Sequence, residues 1–202
     1  MEQNSKNAGS RTLRLSVLMS APGPLVVGLG LLAGRSATQL ADFVRRSAEL
    51  LAIVAAWLVY ERTARAATEQ KARLERGVNR FVGCAMCLSG AAMLLVAALT
   101  AEAETGNVIP GLTIAVLGVV ANTLFWRRYA RLSRQGGGAI LAVQSRLYRA
   151  KALVDGCVTA ALLTVALAPG SPAALWLDKL GSAVVAVYLI RCGLRTVRES
   201  RT

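Results

Sequence analysis

The sequence predicts an all-α membrane protein built as a bundle of six transmembrane helices. Hydrophobic residues make up 54% of the 202-residue chain and charged residues only 17%, and the mean hydropathy is +0.48. Soluble domains carry roughly a quarter charged residues. The apolar residues are grouped in runs of about 20, the length that crosses a bilayer as a helix. These observations favour a multi-span membrane protein over a soluble domain.

Glycine, proline and charged residues divide the chain into six apolar segments. The predicted spans are residues 15–32, 38–60, 81–100, 108–126, 140–168 and 175–194. The breaks between them, in chain order, are residues 34–36, the polar stretch 61–80, the acidic stretch 102–107, the basic and glycine-rich stretch 127–138, and the proline-bounded turn 169–172. We therefore predict an N-terminal tail (1–14), a transmembrane domain (15–194) and a C-terminal tail (195–202). The first segment could instead be a signal peptide, but no small-x-small cleavage site follows it promptly.

Topology explains the formal net charge of +13. The basic residues cluster in the N-terminal tail, in the breaks after the second and fourth spans, and in the C-terminal tail, whereas the opposite side carries Arg35 and Lys179. The positive-inside rule then places both termini in the cytoplasm, with the chain in the cell (inner) membrane. The expected partners are the lipid bilayer and, where the chain self-associates, a second copy in a homodimer. No nucleic-acid partner is needed to account for the charge.

The residue inventory argues against an enzyme. The chain contains no histidine, which removes histidine as a catalytic base and as a metal ligand. The sequence shows no nucleophile–base set and no phosphate-binding loop. We expect neither catalysis nor a cofactor.

Six charged residues inside the predicted spans are not explained by the distribution of charge between the two sides. They are Asp42, Arg45, Arg46 and Glu49 in the second span, and Lys151 and Asp155, with the polar residues Gln144 and Tyr148, in the fifth. Each set falls on one stripe of a helix, and such residues usually face a bundle interior or a water-filled cavity. Glu49 and Asp155 lie equally far, roughly 20 Å by helix rise, from the outer ends of their spans. We expect them to face each other at one depth.

Two interpretations of these stripes stay open. The first is a transport site lined by the two carboxylates. The second is a neutral structural cluster, in which Arg45–Glu49 and Lys151–Asp155 form ion pairs within their own helices or the charges pair between the two helices.

Three features, in this order, resemble the cation diffusion facilitators. Gly30-Leu-Leu-Ala-Gly34-Arg-Ser-Ala-Thr-Gln-Leu-Ala-Asp42 resembles the family's Gly-x-x-x-Gly-Ser-x-Ala-x-x-Ala-Asp segment. Asn122 resembles a polar position of the family's fourth span, and residues 177–181 with Gly193 and 198–200 resemble its sixth span and exit. The resemblance covers residues 15–200. It agrees with six spans and cytoplasmic termini.

The resemblance implies proton-coupled export of a divalent cation by alternating access. The family takes two ligands from span two and two from span five, each pair being His or Asp followed by Asp four residues later. The matching positions are Arg45 with Glu49, and Lys151 with Asp155, so the first member of each pair is a cation and the metal site is degenerate. We expect Glu49 and Asp155 to bind the transported cation and to exchange it for protons.

The remaining site residues have subsidiary roles in this account. Arg45 and Lys151 are expected to act as built-in counter-charges, and Asp42 and Asn122 as auxiliary polar residues. The family's cytoplasmic C-terminal domain is expected to be lacking, since few residues follow the sixth span. The alternative is a non-transporting structural or accessory membrane protein, in which ion pairs replace the metal site.

Overall fold

The computed structural model describes residues 2–33, 37–63, 68–99, 109–136, 138–168 and 172–200. Within these ranges the chain forms seven α-helices and no β-strand. The helices are α1 (Glu2–Ser20), α2 (Pro22–Ala33), α3 (Ala37–Thr63), α4 (Thr68–Leu99), α5 (Ile109–Arg134), α6 (Gly138–Leu167) and α7 (Pro172–Glu199). The all-α prediction is confirmed.

The first predicted span is a broken helix. α1 ends at Ser20 and α2 begins at Pro22. Between them the amide of Ala21 donates to the carbonyl of Val17 at 2.9 Å. Pro22 and Pro24 have no amide hydrogen, so the ladder of i→i−4 hydrogen bonds is interrupted here. The apolar pattern predicts a span at this place but does not reveal the break.

Two of the predicted breaks are largely helical. The polar stretch 61–80 belongs to the end of α3 and the first turns of α4, except for residues 64–67, which lie outside the described part of the chain. The basic stretch 127–134 is the last part of α5. Arginine, lysine and glutamate are good helix formers, so these charged runs extend the helices instead of ending them. The predicted breaks 34–36, 102–107 and 169–171 are outside the described residues.

Two glycines with positive φ lie where the structure ends α5 and begins α6. Gly136 and Gly138 have φ values of +88° and +82°. Glycine adopts this left-handed region without the steric cost that a side chain brings. Within the stretch 127–138, the helix α5 therefore continues through the arginines and ends before the glycines.

The helices pack as an interlocked bundle. α5 lies against α6, α4 against α7 and α3 against α4, while α6 also contacts α7. α1 and α2 pack on α3, and α1 also contacts α5. The core holds buried apolar side chains from most of the helices, among them Leu13, Ile53, Met86, Phe125, Leu147 and Leu189.

The outer surface is apolar as well. Many large hydrophobic side chains are exposed, including Leu18, Leu25, Ile114, Leu117, Leu167 and Val184. A soluble protein rarely exposes contiguous apolar surface on this scale, whereas a membrane protein presents such a surface to lipid. By length and composition, four described helical segments can cross a membrane: Asn7–Leu29, Glu69–Leu99, Gly138–Leu167 and Lys179–Glu199. α3, which carries the charged stripe, and α5 pack against these helices.

Candidate transport site

Glu49 is the centre of an ion cluster between α3 and α6. The residue is 4% exposed. Arg45, one turn earlier on α3, places Nη1 at 3.9 Å from Oε1 of Glu49, and Lys151 of α6 places Nζ at 3.5 Å from Oε2. Charge-assisted hydrogen bonds are usually about 2.7–2.9 Å long. The cluster balances charge at close range without short hydrogen bonds from these two cations.

Lys151 joins this cluster to the broken first span. Its ammonium donates to Ser20 Oγ, the last residue of α1, at 3.4 Å. It also lies 5.2 Å from the ring centroid of Tyr148, whose hydroxyl is 3.2 Å from the same Ser20 Oγ. An ammonium over an aromatic face is stabilised without a second anion. The ammonium of Lys151 is therefore stabilised by one carboxylate, one hydroxyl and one aromatic ring.

Asp155 lies one turn beyond Lys151 on α6 and has a different partner. Nδ2 of Asn122 on α5 donates to Asp155 Oδ2 at 2.6 Å. Gly118 lies on the same face of α5, where a Cβ atom would come within 2.5 Å of Oδ2. The glycine thus lets the carboxylate approach the backbone of α5. Asp155 is also within electrostatic range of Lys151 and Glu49.

Two buried tyrosines hold α1 against α5 and α6. The hydroxyl of Tyr129 is 2.7 Å from Ser16 Oγ and donates to the carbonyl of Thr12 at 3.3 Å. The hydroxyl of Tyr148 donates to the carbonyl of Ser16 at 3.4 Å. The two rings are neighbours, with centroids 5.3 Å apart. These contacts place the end of α1 beside the ion cluster.

The observed pairing combines the two schemes that sequence spacing left open, with one ion pair within a helix and one between helices. The Arg45–Glu49 contact is formed, but Lys151 contacts Glu49 and not Asp155, so the suggested Lys151–Asp155 ion pair is not formed. The reason is that α3 brings Glu49 within reach of the lysine, while Asn122 takes up Asp155. Helical spacing alone treats the two acids as equivalent partners of Lys151.

The two other charged residues of the α3 stripe are less fully described. Arg46 lies against the start of α2, since a Cβ atom on Gly23 would be 3.4 Å from its Nη1. Asp42, predicted as an auxiliary residue, lies on α3, but its side chain is outside the described part of the structure. Asn122, the other predicted auxiliary residue, contacts Asp155 directly.

Sequence reasoning missed two contributors to the site. Ser20 comes from the first span, which carries no charge near this point. The available signal was a serine pair at i and i+4, Ser16 and Ser20, in an otherwise apolar stretch. Gly118 was also missed, and no local pattern distinguishes it from the other glycines of the chain.

The donor set is small for a metal ion. Among the described residues there is no group of three or more His, Cys, Asp or Glu side chains that could hold one.

Gln144, on the same stripe of α6, is fully buried, and neither amide atom has a hydrogen-bond partner in the described part. A buried amide without partners costs free energy. Gln144 therefore adds a second costly polar group to the stripe of α6 that carries Lys151 and Asp155.

A family model described as the cation efflux transmembrane domain matches residues 13–202. A comparison with curated proteins found no match. The family match includes every residue of the ion cluster and nearly the whole bundle. It confirms the resemblance seen in the ordered sequence segments, and with the apolar helices it identifies a multi-pass membrane protein. The chain therefore belongs to the cation efflux family, the cation diffusion facilitators.

Proposed function

We propose that the protein exports a divalent cation in exchange for protons, with Glu49 and Asp155 as the carboxylates that alternately hold the two. The observation that carries this proposal is the burial of Glu49 in direct contact with the helix that bears Asp155. A charge in this position is costly and is usually retained for function. Alternating access would proceed by rocking of helix groups about this level.

Lys151 has a defined part in this mechanism. In the present arrangement its ammonium stands beside Glu49, where a transported cation would otherwise balance the carboxylate. A buried lysine can lose its proton or swing its flexible side chain aside. The guanidinium of Arg45 keeps its charge. Cation entry therefore requires displacement or deprotonation of Lys151, and cation release allows the ammonium to return.

The proposed orientation places both termini in the cytoplasm of a cell whose inner membrane holds the protein. The support is the distribution of basic residues, which follows the positive-inside rule. Export then moves the cation from the side of the termini to the opposite side.

A second candidate function is favoured by one observation. Both Arg45 and Lys151 lie against Glu49, so the cluster is already neutralised by protein cations. In a non-transporting accessory protein these contacts would be permanent, and they would hold α3 to α6 in place of a metal.

Transport in vesicles separates the two functions. The full chain would be reconstituted into phosphatidylcholine–phosphatidylglycerol vesicles, and uptake of zinc, manganese or cobalt would be followed under an imposed pH gradient. We expect flux of at least one ion that depends on the gradient and is lost in Glu49→Gln and in Asp155→Asn. Glu61→Gln, a change of the same kind at the end of α3, is the control and should retain flux. Absence of flux for all three ions in either gradient direction would favour the accessory function.

A further inference from the structure

The surface between α1 and α5 carries a groove that is separate from the ion cluster. Its volume is about 760 Å³. Apolar side chains, including Leu15 and Met19 of α1 and Leu124 of α5, line one part, and Arg127, Arg128 and Arg131 line the other. Leu15, Met19 and Leu124 are each about half exposed or more. The groove therefore opens toward the surroundings of the bundle.

The groove has the dimensions of one membrane leaflet. The lining residues of α5 run from Ala121 to Leu132, which corresponds to roughly 16 Å of helix rise. That is about half of the ~30 Å hydrocarbon core of a bilayer. The arginines lie near the end of α5 at Arg134, in the basic stretch that the positive-inside rule assigns to the cytoplasmic side. The apolar part thus lies at the depth of acyl chains, with the arginines toward the headgroups.

The three arginines are available to an outside anion. All are exposed, and among the described residues none forms an ion pair or a side-chain hydrogen bond with the protein. Other exposed arginines are neutralised within the chain: Arg14 pairs with Glu61, and Arg195 pairs with Glu199. Guanidinium groups bind phosphate oxygens strongly. An unneutralised arginine cluster at the end of an apolar groove complements an anionic headgroup attached to an acyl chain.

We propose that this groove binds an anionic phospholipid. Arg127, Arg128 and Arg131 hold the phosphate, and an acyl chain lies along Leu124 and Met19. A basic pocket between transmembrane helices is a recognised form of lipid headgroup site. A second copy of the chain is a poorer occupant, because a symmetric contact would bring two identical arginine clusters together.

The groove adjoins the contacts that position α1. Phe125 lines it, and the ring of Phe125 packs 5.1 Å from that of Tyr148. A bound lipid is therefore one side chain away from the tyrosine pair that joins α1 to α5 and α6. A bound lipid should stabilise the packing of α1 against α5 and so raise the stability of the whole bundle.

Native mass spectrometry of the detergent-purified chain tests the proposal directly. The protein would be offered equal amounts of dioleoylphosphatidylglycerol and dioleoylphosphatidylcholine. We expect a preference of about tenfold or more for phosphatidylglycerol in the first bound lipid, as interfacial arginines should give. Arg127→Gln/Arg128→Gln/Arg131→Gln should abolish this preference. The matched control, Arg62→Gln/Arg73→Gln/Arg76→Gln, removes three other exposed arginines and should keep it.

Two further measurements define what would overturn the proposal. Ala121→Phe, which fills the apolar part, should lower phosphatidylglycerol binding without changing the mass of the assembly. A loss of dimer mass in this variant would instead assign the groove to a second copy. Thermal stability should rise with phosphatidylglycerol but not with the same concentration of inorganic phosphate. Equal effects of lipid and phosphate, or equal loss of preference in both triple variants, would refute the lipid site.

Discussion

Two glutamates of α3 are held in opposite ways, although both face arginines. Glu61, at the end of the helix, has a side chain that is 36% exposed, whereas that of Glu49 is 5% exposed. One oxygen of Glu61 receives short hydrogen bonds from three side chains of α1 and α3: Ser10 at 2.8 Å, Arg14 at 2.6 Å and Trp57 at 3.0 Å. Glu49 has cations at 3.5 and 3.9 Å.

The difference indicates different tasks for the two carboxylates. One oxygen of Glu61 accepts several short hydrogen bonds, and those from α1 fix this helix to the end of α3. Glu49 lies where an unbalanced charge is most expensive, yet its cationic neighbours stay at longer distances. A carboxylate that is neutralised but not tightly bonded can exchange one cation for another at low cost. Four experiments test this difference between the two carboxylates.

The largest effect should come from neutralising the two glutamates separately. Glu49→Gln removes the buried acid that Lys151 contacts, and breaking a buried pair from one side costs about 3–5 kcal/mol. Glu61→Gln affects a partly exposed pair, for which about 0–1 kcal/mol is typical. Chemical unfolding of both variants in one detergent measures the two costs. Equal losses would show that burial does not decide the energetics of these sites.

Converting the two cations to acids should create a metal site. Arg45→Asp combined with Lys151→Asp places carboxylates at all four family positions, and a divalent ion would relieve their mutual repulsion. At a metal concentration about 100 times its Kd, the stabilisation should be about 2.7 kcal/mol.

Thermal unfolding with and without zinc, manganese or cobalt provides the measurement. Arg62→Asp with Arg73→Asp, an equal charge change on exposed residues, should gain no metal stabilisation. The parent should gain less than the double variant, because an entering cation must first displace Lys151 from Glu49. An equally strong metal effect on the parent would show that Glu49 and Asp155 bind the ion while Arg45 and Lys151 are in place.

A smaller effect is expected from two glycine substitutions. Gly118→Ala would push against Asp155 Oδ2 and separate it from Asn122, at a cost of about 1–3 kcal/mol for overpacking. Gly77→Ala meets nothing within 4 Å and should stabilise α4 by about 0.5–1 kcal/mol. Unfolding and cation flux of both variants would be compared. Unchanged flux in Gly118→Ala would show that transport does not depend on the contact between Asn122 and Asp155.

The smallest effect concerns the pH dependence of Glu61. The hydrogen bond from Arg14, with those of Ser10 and Trp57, holds the pKa of Glu61 below its ordinary value of 4.5. A lowered pKa in the folded state stabilises the protein above the unfolded-state pKa, and this contribution is lost as the pH falls through the folded-state value.

The parent should therefore exceed Glu61→Gln in stability at neutral pH, by less than about 1 kcal/mol because the pair is exposed. The difference should shrink as the pH falls below about 4.5. Melting temperatures of the two proteins across this range test the sign. A difference that grows in acid would contradict it.

The sequence predicted the all-α bundle, the cation efflux family and the helices that carry the charges. Apolar segments long enough to cross a bilayer form helices, and a charge inside such a segment costs so much free energy that few arrangements are possible. The sequence could not predict the partner of Lys151. A lysine side chain reaches an acid on its own helix and one on a neighbouring helix equally well, and the position of α3 decides between them. Nor could it assign Gly118, because the need for a missing side chain arises only when Asp155 of another helix is brought against that point.

The break in the first span has a mechanical consequence. Pro22 and Pro24 cannot donate to the carbonyls of Leu18 and Ser20, as residues of a continuous helix would. Bending at this point therefore ruptures few backbone hydrogen bonds. α1 packs on α3 and is also held to α5 and α6 by the buried tyrosines, and α2 packs on α3. The joint therefore allows α2 to rotate against α1 at little cost in backbone hydrogen bonds, and the contact between Lys151 and Ser20 lies beside it.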